Sequence, residues 1–537
     1  MTDTVLGDRR TVWIVAVLII VLFATANLPW QLDDYDQAKQ AFSSFEMVKE
    51  GHWLYQHTPH EHVATKPPLV AWISAAIFAV TRSWEVARRL PSLLAALVFA
   101  VVLFRFAKEG YGSSAALIAL GAFGLNLLSP RLATLVRTDM PLAFVIFLIG
   151  ALIWQKVRAG NGWTLRDQVY VFALLTAAML IKGPIVYAFL LPGIALYQVH
   201  HGRTRPEGVP SNSAWSGWWP WVASFAIFLA WVVGGIRSQP GFYHEVVVRE
   251  FIGRFGETIH RPQPLLFYLP HLLHKFAPWS VLMIAVALVD LRSRNWRFRS
   301  LFREMSPGTF WLLCWSFGGL IAMSLIPSKR VDRIFPVIPP FCLLLAAQIA
   351  SRNFSHGSAG ASSRSCESDE IAHRPVTTTT ALTQIYRWSA LALALAILFT
   401  TGYTGWKIVT GYRHQRDALA VFGRNVRREA ESHHWRYEVV SARDEGLLLY
   451  LQKMHFIDPQ LAVTEWNNGS LDAVVVSAEK ATMLIPRFEG AAVSEQTRAQ
   501  QGDYVLITHR SVESGELHEA GTVKSLVEIA RPLQSRP

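Results

Sequence analysis

Three aspartates, Asp33, Asp34 and Asp36, follow the first long apolar run of the chain. A carboxylate beside an attacking hydroxyl can accept its proton, so each is a candidate general base. The helical pattern that follows begins at Asp34, so Asp33 or Asp34 can cap that helix and satisfy its orphan amides, which is our interpretation of those two residues. The pattern predicts an amphipathic helix that could lie along the membrane surface, with one apolar face formed by Tyr35, Ala38, Phe42, Phe45 and Val48. Asp36 then lies in the first turn, where the helix dipole favours a carboxylate anyway. The residue types leave a base and a structural role equally open for Asp36.

A second acidic position, Asp139, lies between two apolar runs in the sequence RTDMP (137–141) and could simply cap the segment that starts at Met140. Cations are expected on the same membrane face as Asp139. A charge costs about 2.5–3.5 kcal/mol at the bilayer centre and less at its edge, so this many charges favour an anionic lipid headgroup as ligand. Interfacial anchoring is the alternative, and either membrane face would serve it. The cations are Lys66, Arg137, Arg254, Lys329, Arg330 and Arg333.

The elements that must position these side chains are membrane spans. The 537 residues include 20 tryptophans, and apolar runs of about 17–20 residues recur, each long enough to cross a bilayer. The net charge of +12 lies mostly in short loops between these runs, which is typical of membrane proteins and argues against a nucleic-acid partner. The three cysteines form neither a disulfide framework nor a metal motif. The sequence contains no phosphate-loop, dinucleotide-binding or serine-hydrolase motif.

The basic loops set the predicted orientation. Arg9 and Arg10 place the N-terminus in the cytoplasm, and three later basic loops fit the same side only if the apolar segment 67–87 does not cross. We therefore predict a mainly α, polytopic membrane protein with about 11–13 transmembrane helices. The predicted spans are near 11–30, 88–107, 112–130, 140–156, 168–182, 184–200, 218–236, 268–290, 308–326, 334–350 and 386–404.

Composition divides the chain into regions. Residues 1–350 form the predicted membrane core, with a first periplasmic loop at 31–87 and a second large one at 237–267. The Ser/Thr/Gly-rich stretch 351–385 is predicted to be a disordered cytoplasmic linker. A last transmembrane helix follows at 386–404. Helical and strand patterns alternate over 405–537, which predicts a small periplasmic α/β domain.

Six motifs follow one another along the chain: DQAKQAFSSFEMVKEGHW, KPPLVAW, RTDMPL, LIKGPIVY, IHRPQPLLFYLP and PSKRVDRIFPVIPP. In this order they resemble bacterial polyprenyl-phosphate-sugar glycosyltransferases of the GT-C fold, similar to lipid A aminoarabinose transferases and relatives of bacterial protein O-mannosyltransferases. The resemblance covers about residues 11–350. It implies transfer of a sugar, with inversion, from a polyisoprenyl (undecaprenyl) phosphate to lipid A, the lipopolysaccharide core, another glycan or a protein at the periplasmic face of the bacterial inner membrane.

The resemblance also implies roles for individual residues. Asp36 matches the catalytic base, Asp139 a second acidic position of the active site, and Lys66 the residue that holds the lipid phosphate. His260 matches a histidine that contributes to a metal site in some members. Aminoarabinose transferases carry a metal-holding glutamate where this chain has Thr65, which weakens the case for a bound divalent metal and for aminoarabinose as the sugar. A divalent metal with His260 as a ligand stays open, and no cofactor is assigned with certainty. Together with the cations of the charge argument, the predicted substrate-binding residues are Lys66, Arg137, Arg254, His260, Arg261, Lys329, Arg330 and Arg333.

Three other functions stay open from sequence, and one of them, a polymerase or ligase of surface polysaccharide, is chemically too close to be separated by sequence. A transporter or flippase for the same lipids would place charges at mid-membrane and show internal repeats. Here the charges gather near one face, and Lys182 is the only candidate deep in the membrane. A non-catalytic membrane protein with a periplasmic binding domain would not need the acidic first loop. The histidines between residues 52 and 62 are interpreted as a loose surface set rather than as metal ligands.

Overall fold

The computed structural model describes residues 6–32, 35–204, 213–254, 262–297, 302, 305–361, 376–440, 442, 445–499 and 502–509. The chain divides into two compact units. Unit 1 consists of Met1–Asn27, His52–Tyr55 and Val63–Lys407, and unit 2 consists of Leu28–Gly51, Gln56–His62 and Ile408–Pro537.

Unit 1 is built of helices. Among its described residues, one π-helix, Tyr243–Phe251, and three 3-10 helices, Ile252–Arg254, Leu265–Phe267 and Val331–Val337, interrupt the α-helices. A long helix, Val376–Arg413, begins in unit 1 and ends in unit 2. The other α-helices of unit 1 are Arg9–Thr25, Leu69–Thr81, Trp84–Tyr111, Ser113–Gly124, Ser129–Ala133, Asp139–Ala159, Leu165–Lys182, Ile185–Thr204, Trp219–Ser238, Tyr268–Lys275, Trp279–Ser293, Pro307–Leu325 and Ile338–Ala361.

Six helices among the described residues are long and apolar enough to cross a membrane, or seven if one bent pair is a single span. The prediction of a mainly α, multi-pass membrane protein is therefore confirmed. The bent pair turns by 100° between Leu265–Lys275 and Trp279–Ser293, where the sequence predicts one span near 268–290. Other predicted spans fold as helices that are shorter, such as Arg9–Thr25, or that carry more charge, such as Leu165–Lys182. The six are Trp84–Tyr111, Asp139–Ala159, Trp219–Ser238, Pro307–Leu325, Val331–Ala350 and Gln384–Arg413.

The apolar segment after Lys66 forms the helix Leu69–Thr81, which has 13 residues. Such a helix is about 20 Å long, which is shorter than the hydrocarbon core of a bilayer. Arg82 ends it in the left-handed conformation, with φ of 53°. The length of the helix fits the prediction that this segment does not cross.

Two helices of unit 1 approach each other through glycines. A Cβ atom on Gly318 would lie 2.5 Å from the backbone nitrogen of Gly193, and one on Gly193 would lie 2.8 Å from the Cα of Trp315. Small residues at such crossings let membrane helices pack backbone to backbone. Helices Ile185–Thr204 and Pro307–Leu325 therefore form a close-packed pair in the core of unit 1.

Unit 2 contains an α/β domain, as the sequence predicts. Its strands are β1 (Tyr437–Val439), β2 (Ala473–Ser477), β3 (Ala491–Ala499) and β4 (Gly502–His509), in the sheet order β1-β2-β4-β3. β1 and β2 are parallel, and the other pairs are antiparallel. The helices of this domain are Ala418–His433, Glu445–Leu451, Pro459–Asn467 and Ala478–Leu484, with a 3-10 turn at Ile485–Arg487.

The acidic first loop contributes a helix to unit 2, Tyr35–Glu50, which we call the first-loop helix. On its predicted apolar face, Ala38, Phe42 and Phe45 are at most 2% exposed, whereas Tyr35 and Val48 are exposed. This face packs against the helix Glu445–Leu451. Just before the helix, the backbone N–H of Leu32 donates to the hydroxyl of Tyr450 at 2.8 Å. The amphipathic pattern therefore reflects packing inside the protein.

The predicted linker at 351–385 falls partly outside the described residues, which omit 362–375. On either side, the helix Ile338–Ala361 extends into the start of this stretch and the helix Val376–Arg413 begins near its end.

Candidate functional site

Asp139 begins the helix Asp139–Ala159, and its carboxylate forms an ion pair with Lys182. Lys182 Nζ donates to Asp139 Oδ1 at 2.5 Å, and the two side chains are 13% and 11% exposed. Lys182 is the last residue of its own helix, which Gly183 ends with φ of 72°. The carboxylate of Asp139 thus forms an ion pair with a lysine of another helix. Its role therefore goes beyond capping its own helix.

Further cations interact electrostatically with the Asp139–Lys182 ion pair. Lys66 and Arg137 lie within electrostatic range of Asp139, and Lys66 and Arg333 lie within range of Lys182. We call Lys66, Arg137, Asp139, Lys182 and Arg333 the cation cluster. Its four cations outnumber Asp139, and they still outnumber the carboxylates when Asp332, which pairs with Arg137, is counted, so the cluster favours an anionic ligand.

Arg137 is fixed in place by contacts on its side chain and its backbone. Its Nη1 donates to Asp332 Oδ2 at 2.9 Å, and Arg131 Nη1 lies 3.5 Å from the other oxygen of that carboxylate. The hydroxyl of Ser92 donates to the carbonyl oxygen of Arg137 at 3.1 Å. Both side chains of the Arg137–Asp332 pair are nearly buried. The buried acceptor Asp332 therefore orients the guanidinium of Arg137.

The motif PSKRVDR supplies the remaining predicted cations. Lys329 Nζ donates to the carbonyl oxygen of Gln263 at 3.0 Å, and burial lowers the pKa of Lys329. Arg333 Nη1 donates to the carbonyl oxygen of Ser328 at 2.8 Å. Arg330 is half-buried in the same segment. The contact of Lys329 joins its own segment to the one that contains Gln263.

Lys66 is half-buried and is followed by Pro67 and Pro68, at the start of the helix Leu69–Thr81. The preceding residue, Thr65, donates its hydroxyl to Glu250 Oε1 at 3.1 Å. A neutral hydroxyl is a poor substitute for a carboxylate ligand. Within the described part of unit 1, no set of three metal-ligating side chains gathers around Thr65. Thr65 itself therefore does not supply the carboxylate ligand that the motif resemblance links to this position. His260, the other ligand that the resemblance implies, lies outside the described residues.

The other predicted site residues are placed as follows. Asp36 is the second residue of the first-loop helix in unit 2 and is half-buried. Asp33, Asp34, His260 and Arg261 lie outside the described residues, and Arg254 ends the 3-10 helix Ile252–Arg254. Of the predicted residues, the structure therefore brings together Lys66, Arg137, Asp139 and Arg333.

Sequence reasoning did not assign Lys182 to the site. The available signal was a lysine at the end of an apolar run, directly before Gly183 and Pro184. An isolated charge in such a position is expensive unless it is paired, and its partner Asp139 lies 43 residues earlier.

Comparison with known proteins supports the resemblance. Residues 65–232 match the family model described as dolichyl-phosphate-mannose-protein mannosyltransferase. The undecaprenyl phosphate-alpha-4-amino-4-deoxy-L-arabinose arabinosyl transferase of Erwinia tasmaniensis is 25% identical over 339 residues, which are 58% of this chain and 54% of that protein. A second such transferase, from Proteus mirabilis, is 24% identical over 359 residues, covering 63% and 60%. The matched regions thus span between half and two thirds of these relatives.

Solved structures show the same fold. The crystal structure of ArnT from Cupriavidus metallidurans bound to undecaprenyl phosphate aligns with a TM-score of 0.67 and 18% identity, covering 94% of this chain and 99% of that one. The archaeal oligosaccharyltransferase AglB from Archaeoglobus fulgidus aligns with a TM-score of 0.51 and 12% identity, covering 89% and 70%. The GT-C fold that the motifs imply is therefore confirmed.

Proposed function

We propose that this chain is a membrane glycosyltransferase that moves a sugar from a polyisoprenyl phosphate, such as undecaprenyl phosphate, to a lipid or glycan acceptor. The observation that carries the proposal is the cation cluster around the Asp139–Lys182 pair. The names of the curated relatives point to the same donor class.

The charge of the cluster suits the proposed leaving group. A lipid phosphate that departs from a sugar is already anionic and gains further charge as the bond breaks, so it needs cations more than a proton donor. Lys66 and Arg333 would bind the phosphate oxygens, since each lies within electrostatic range of Lys182. Asp139 would keep Lys182 charged and in position between them.

The proposed reaction is a direct displacement at the anomeric carbon. The acceptor oxygen forms a bond to that carbon while the bond from the carbon to the phosphate oxygen breaks, and the electron pair leaves with the lipid phosphate. The proton of the acceptor passes to the carboxylate of Asp36, a role that rests on the motif resemblance. Attack opposite the leaving group inverts the anomeric configuration.

The proposed location is the bacterial inner membrane, with the site and the C-terminal α/β domain on the periplasmic side. This orientation is supported by the basic loops, which the positive-inside rule assigns to the cytoplasm. The acceptor class on that side is lipid A, the lipopolysaccharide core, another glycan or a protein.

The test is Asp36→Asn in purified protein supplied with polyprenyl-phosphate sugar donors and lipid A or core acceptors. Loss of a general base lowers the rate by about 10²–10⁴-fold. The matched control is Asp8→Asn, because Asp8 is exposed and makes no side-chain cap bond. Activity of Asp36→Asn within a few-fold of wild type would contradict the assignment of the base.

The rival function is transport of the same lipid. Reconstitution in vesicles with labelled donor distinguishes the two, because a transferase forms glycosylated acceptor and a flippase moves the donor across the bilayer without forming product. Translocation without product would replace the proposal with the rival.

A further inference from the structure

The hydroxyl of Tyr268 lies deep inside unit 1. Tyr268 is the first residue of the helix Tyr268–Lys275 and is 0% exposed. Among the residues that the structure describes, none is a hydrogen-bond partner of this hydroxyl. A buried polar group of this kind has lost its hydration without compensation, so native proteins rarely keep one unless a ligand or water completes it.

The chain just before Tyr268 is joined to the PSKRVDR segment by two hydrogen bonds. The backbone N–H of Gln263 donates to the carbonyl oxygen of Pro327 at 3.2 Å. In the opposite direction, Lys329 Nζ donates to the carbonyl oxygen of Gln263 at 3.0 Å. Tyr268 is therefore held beside the segment that supplies Arg333 to the cation cluster.

The polar neighbours of the Tyr268 hydroxyl come from this same segment. The backbone N–H of Arg330 lies near it, and Arg333 lies within electrostatic range of it. An N–H group and a guanidinium donate hydrogen bonds but cannot accept one, so neither can take the hydrogen of the hydroxyl. Arg333 also lies within electrostatic range of Lys182. The hydroxyl thus lacks an acceptor at a place where positive charge favours an anion.

We propose that the hydroxyl of Tyr268 donates a hydrogen bond to the phosphate of the polyisoprenyl-phosphate substrate, an inference that rests on the proposed function. A phosphate oxygen is a strong acceptor and supplies the partner that the hydroxyl lacks. As the bond to the sugar breaks, negative charge grows on the phosphate oxygens and the hydrogen bond strengthens. Tyr268 is then a substrate-binding residue beside Lys66 and Arg333, one that contributes a hydrogen bond without adding charge.

A second tyrosine of unit 1 shows that the surroundings of the hydroxyl matter. Tyr197 is 1% exposed, and its hydroxyl also has no hydrogen-bond partner in the described part of the chain. Its ring packs against Phe310 and Trp311. The neighbour that acts on it electrostatically is the thiol of Cys314, which is not a cation. An unpaired hydroxyl alone therefore does not indicate a phosphate site, which makes Tyr197 a matched control.

The experiment compares the wild type, Tyr268→Phe and Tyr197→Phe as full chains purified in detergent. Each substitution removes one hydroxyl and keeps the ring. Without lipid, both variants should unfold at the wild-type temperature or above it, because an unpaired buried hydroxyl has been removed. Binding is then measured with undecaprenyl phosphate and, as a separate probe, with undecaprenol, the uncharged alcohol of the same lipid.

We expect Tyr268→Phe to bind undecaprenyl phosphate about 10-fold or more weakly than the wild type, because a hydrogen bond to a charged acceptor is lost. Tyr197→Phe should bind it as the wild type does. Undecaprenol has no phosphate oxygen, so all three proteins should bind it alike. Inorganic phosphate at equal concentration should not displace the lipid, and displacement would assign the site to free phosphate and overturn the inference.

The outcomes separate this inference from the proposed function. Equal binding of undecaprenyl phosphate by Tyr268→Phe and the wild type would overturn the inference and leave the proposed function intact. A lower unfolding temperature of lipid-free Tyr268→Phe would also overturn it, since the hydroxyl would then have a partner within the protein. A wild-type protein that binds no undecaprenyl phosphate would contradict the substrate class of the proposed function, and the inference with it.

Discussion

Lys182 and Asp139 join the end of one membrane helix to the start of another, with 2.5 Å between Nζ and Oδ1. The pair neutralises one cation in a region where several are concentrated. What remains is an excess of positive charge held on rigid helix ends, which is the preorganisation that binding of a phosphate needs.

Asp139→Asn should destabilise the protein, because it leaves the buried ammonium of Lys182 without its partner. Removal of one member of a buried pair typically costs about 3–5 kcal/mol. The double variant Asp139→Asn/Lys182→Met should recover part of this loss, since neither charge is left unpaired. Thermal unfolding in detergent measures both, with Arg249→Gln as the control that removes an exposed ion pair at a cost of about 0.5 kcal/mol. Equal unfolding temperatures for Asp139→Asn and Arg249→Gln would contradict this prediction, because the buried pair would then contribute no more to stability than the exposed pair.

Lys66→Met should weaken use of the lipid-phosphate donor, because a charge-assisted contact to phosphate is removed. A loss of about 1.5–3 kcal/mol corresponds to a decrease of roughly 10–160-fold in kcat/KM for the donor. Lys66→Arg should retain more activity than Lys66→Met. Lys108→Met removes an exposed lysine from the end of the helix Trp84–Tyr111 and should be neutral. If Lys66→Met transferred sugar as well as Lys108→Met, Lys66 would have no part in donor binding.

Gly193→Ala should destabilise unit 1, because the new Cβ would meet the backbone of Trp315 at 2.8 Å. Overpacking of this kind costs about 1–3 kcal/mol. Gly202→Ala lies on the same helix, where a Cβ has open space, and should be neutral or slightly stabilising. Comparing the unfolding temperatures of the two variants separates the steric clash at the helix crossing from the gain in helix propensity that any glycine-to-alanine change brings. A Gly193→Ala protein as stable as Gly202→Ala would contradict this prediction, because the two helices could then move apart to admit the methyl group without loss of stability.

Glu445→Gln should stabilise unit 2 at neutral pH. Burial raises the pKa of Glu445 above its ordinary value of 4.5, although the charge of Lys39 opposes this. The folded state therefore holds this proton more tightly than the unfolded state, so the contribution of Glu445 to stability is lost as pH rises from about 4.5 through the raised pKa. The gain in Glu445→Gln should grow with pH to about 1 kcal/mol.

The measurement for Glu445 is unfolding of the wild type and of Glu445→Gln between pH 4.5 and neutral pH, with Glu479→Gln as the exposed control. A stability difference that stays constant across this range would contradict the assigned burial effect.

The sequence predicted those parts of the fold that depend on local pattern. The long apolar runs became helices, and the alternating pattern after residue 405 became the sheet domain. The apolar positions Ala38, Phe42 and Phe45 were predicted to share one face. Their partner, the helix Glu445–Leu451, was not predicted, because periodicity shows that a face is apolar but not which surface covers it.

Residues of the candidate site were likewise predicted where they stand in a sequence motif, and were missed where their role depends on a tertiary contact. Lys66, Arg137 and Asp139 stand in motifs and were predicted, whereas the pairing of Lys182 with Asp139 arises from tertiary structure. The histidines of the first loop were interpreted as a loose surface set, but His57 contacts the carboxylate of Glu46, with 3.0 Å between Nδ1 and Oε1. Side chains that gain their role from a partner on another element give little signal in their own sequence neighbourhood.

The hydrogen bond from Leu32 to Tyr450 has a consequence for how the protein is made. The two residues are 418 positions apart, so the first-loop helix emerges from the ribosome long before the surface that covers it. At about 5–20 residues per second, the delay is roughly 20–80 s. During that interval Phe42 and Phe45 lack their native cover, so the nascent chain would rely on the membrane surface or a chaperone to shield them.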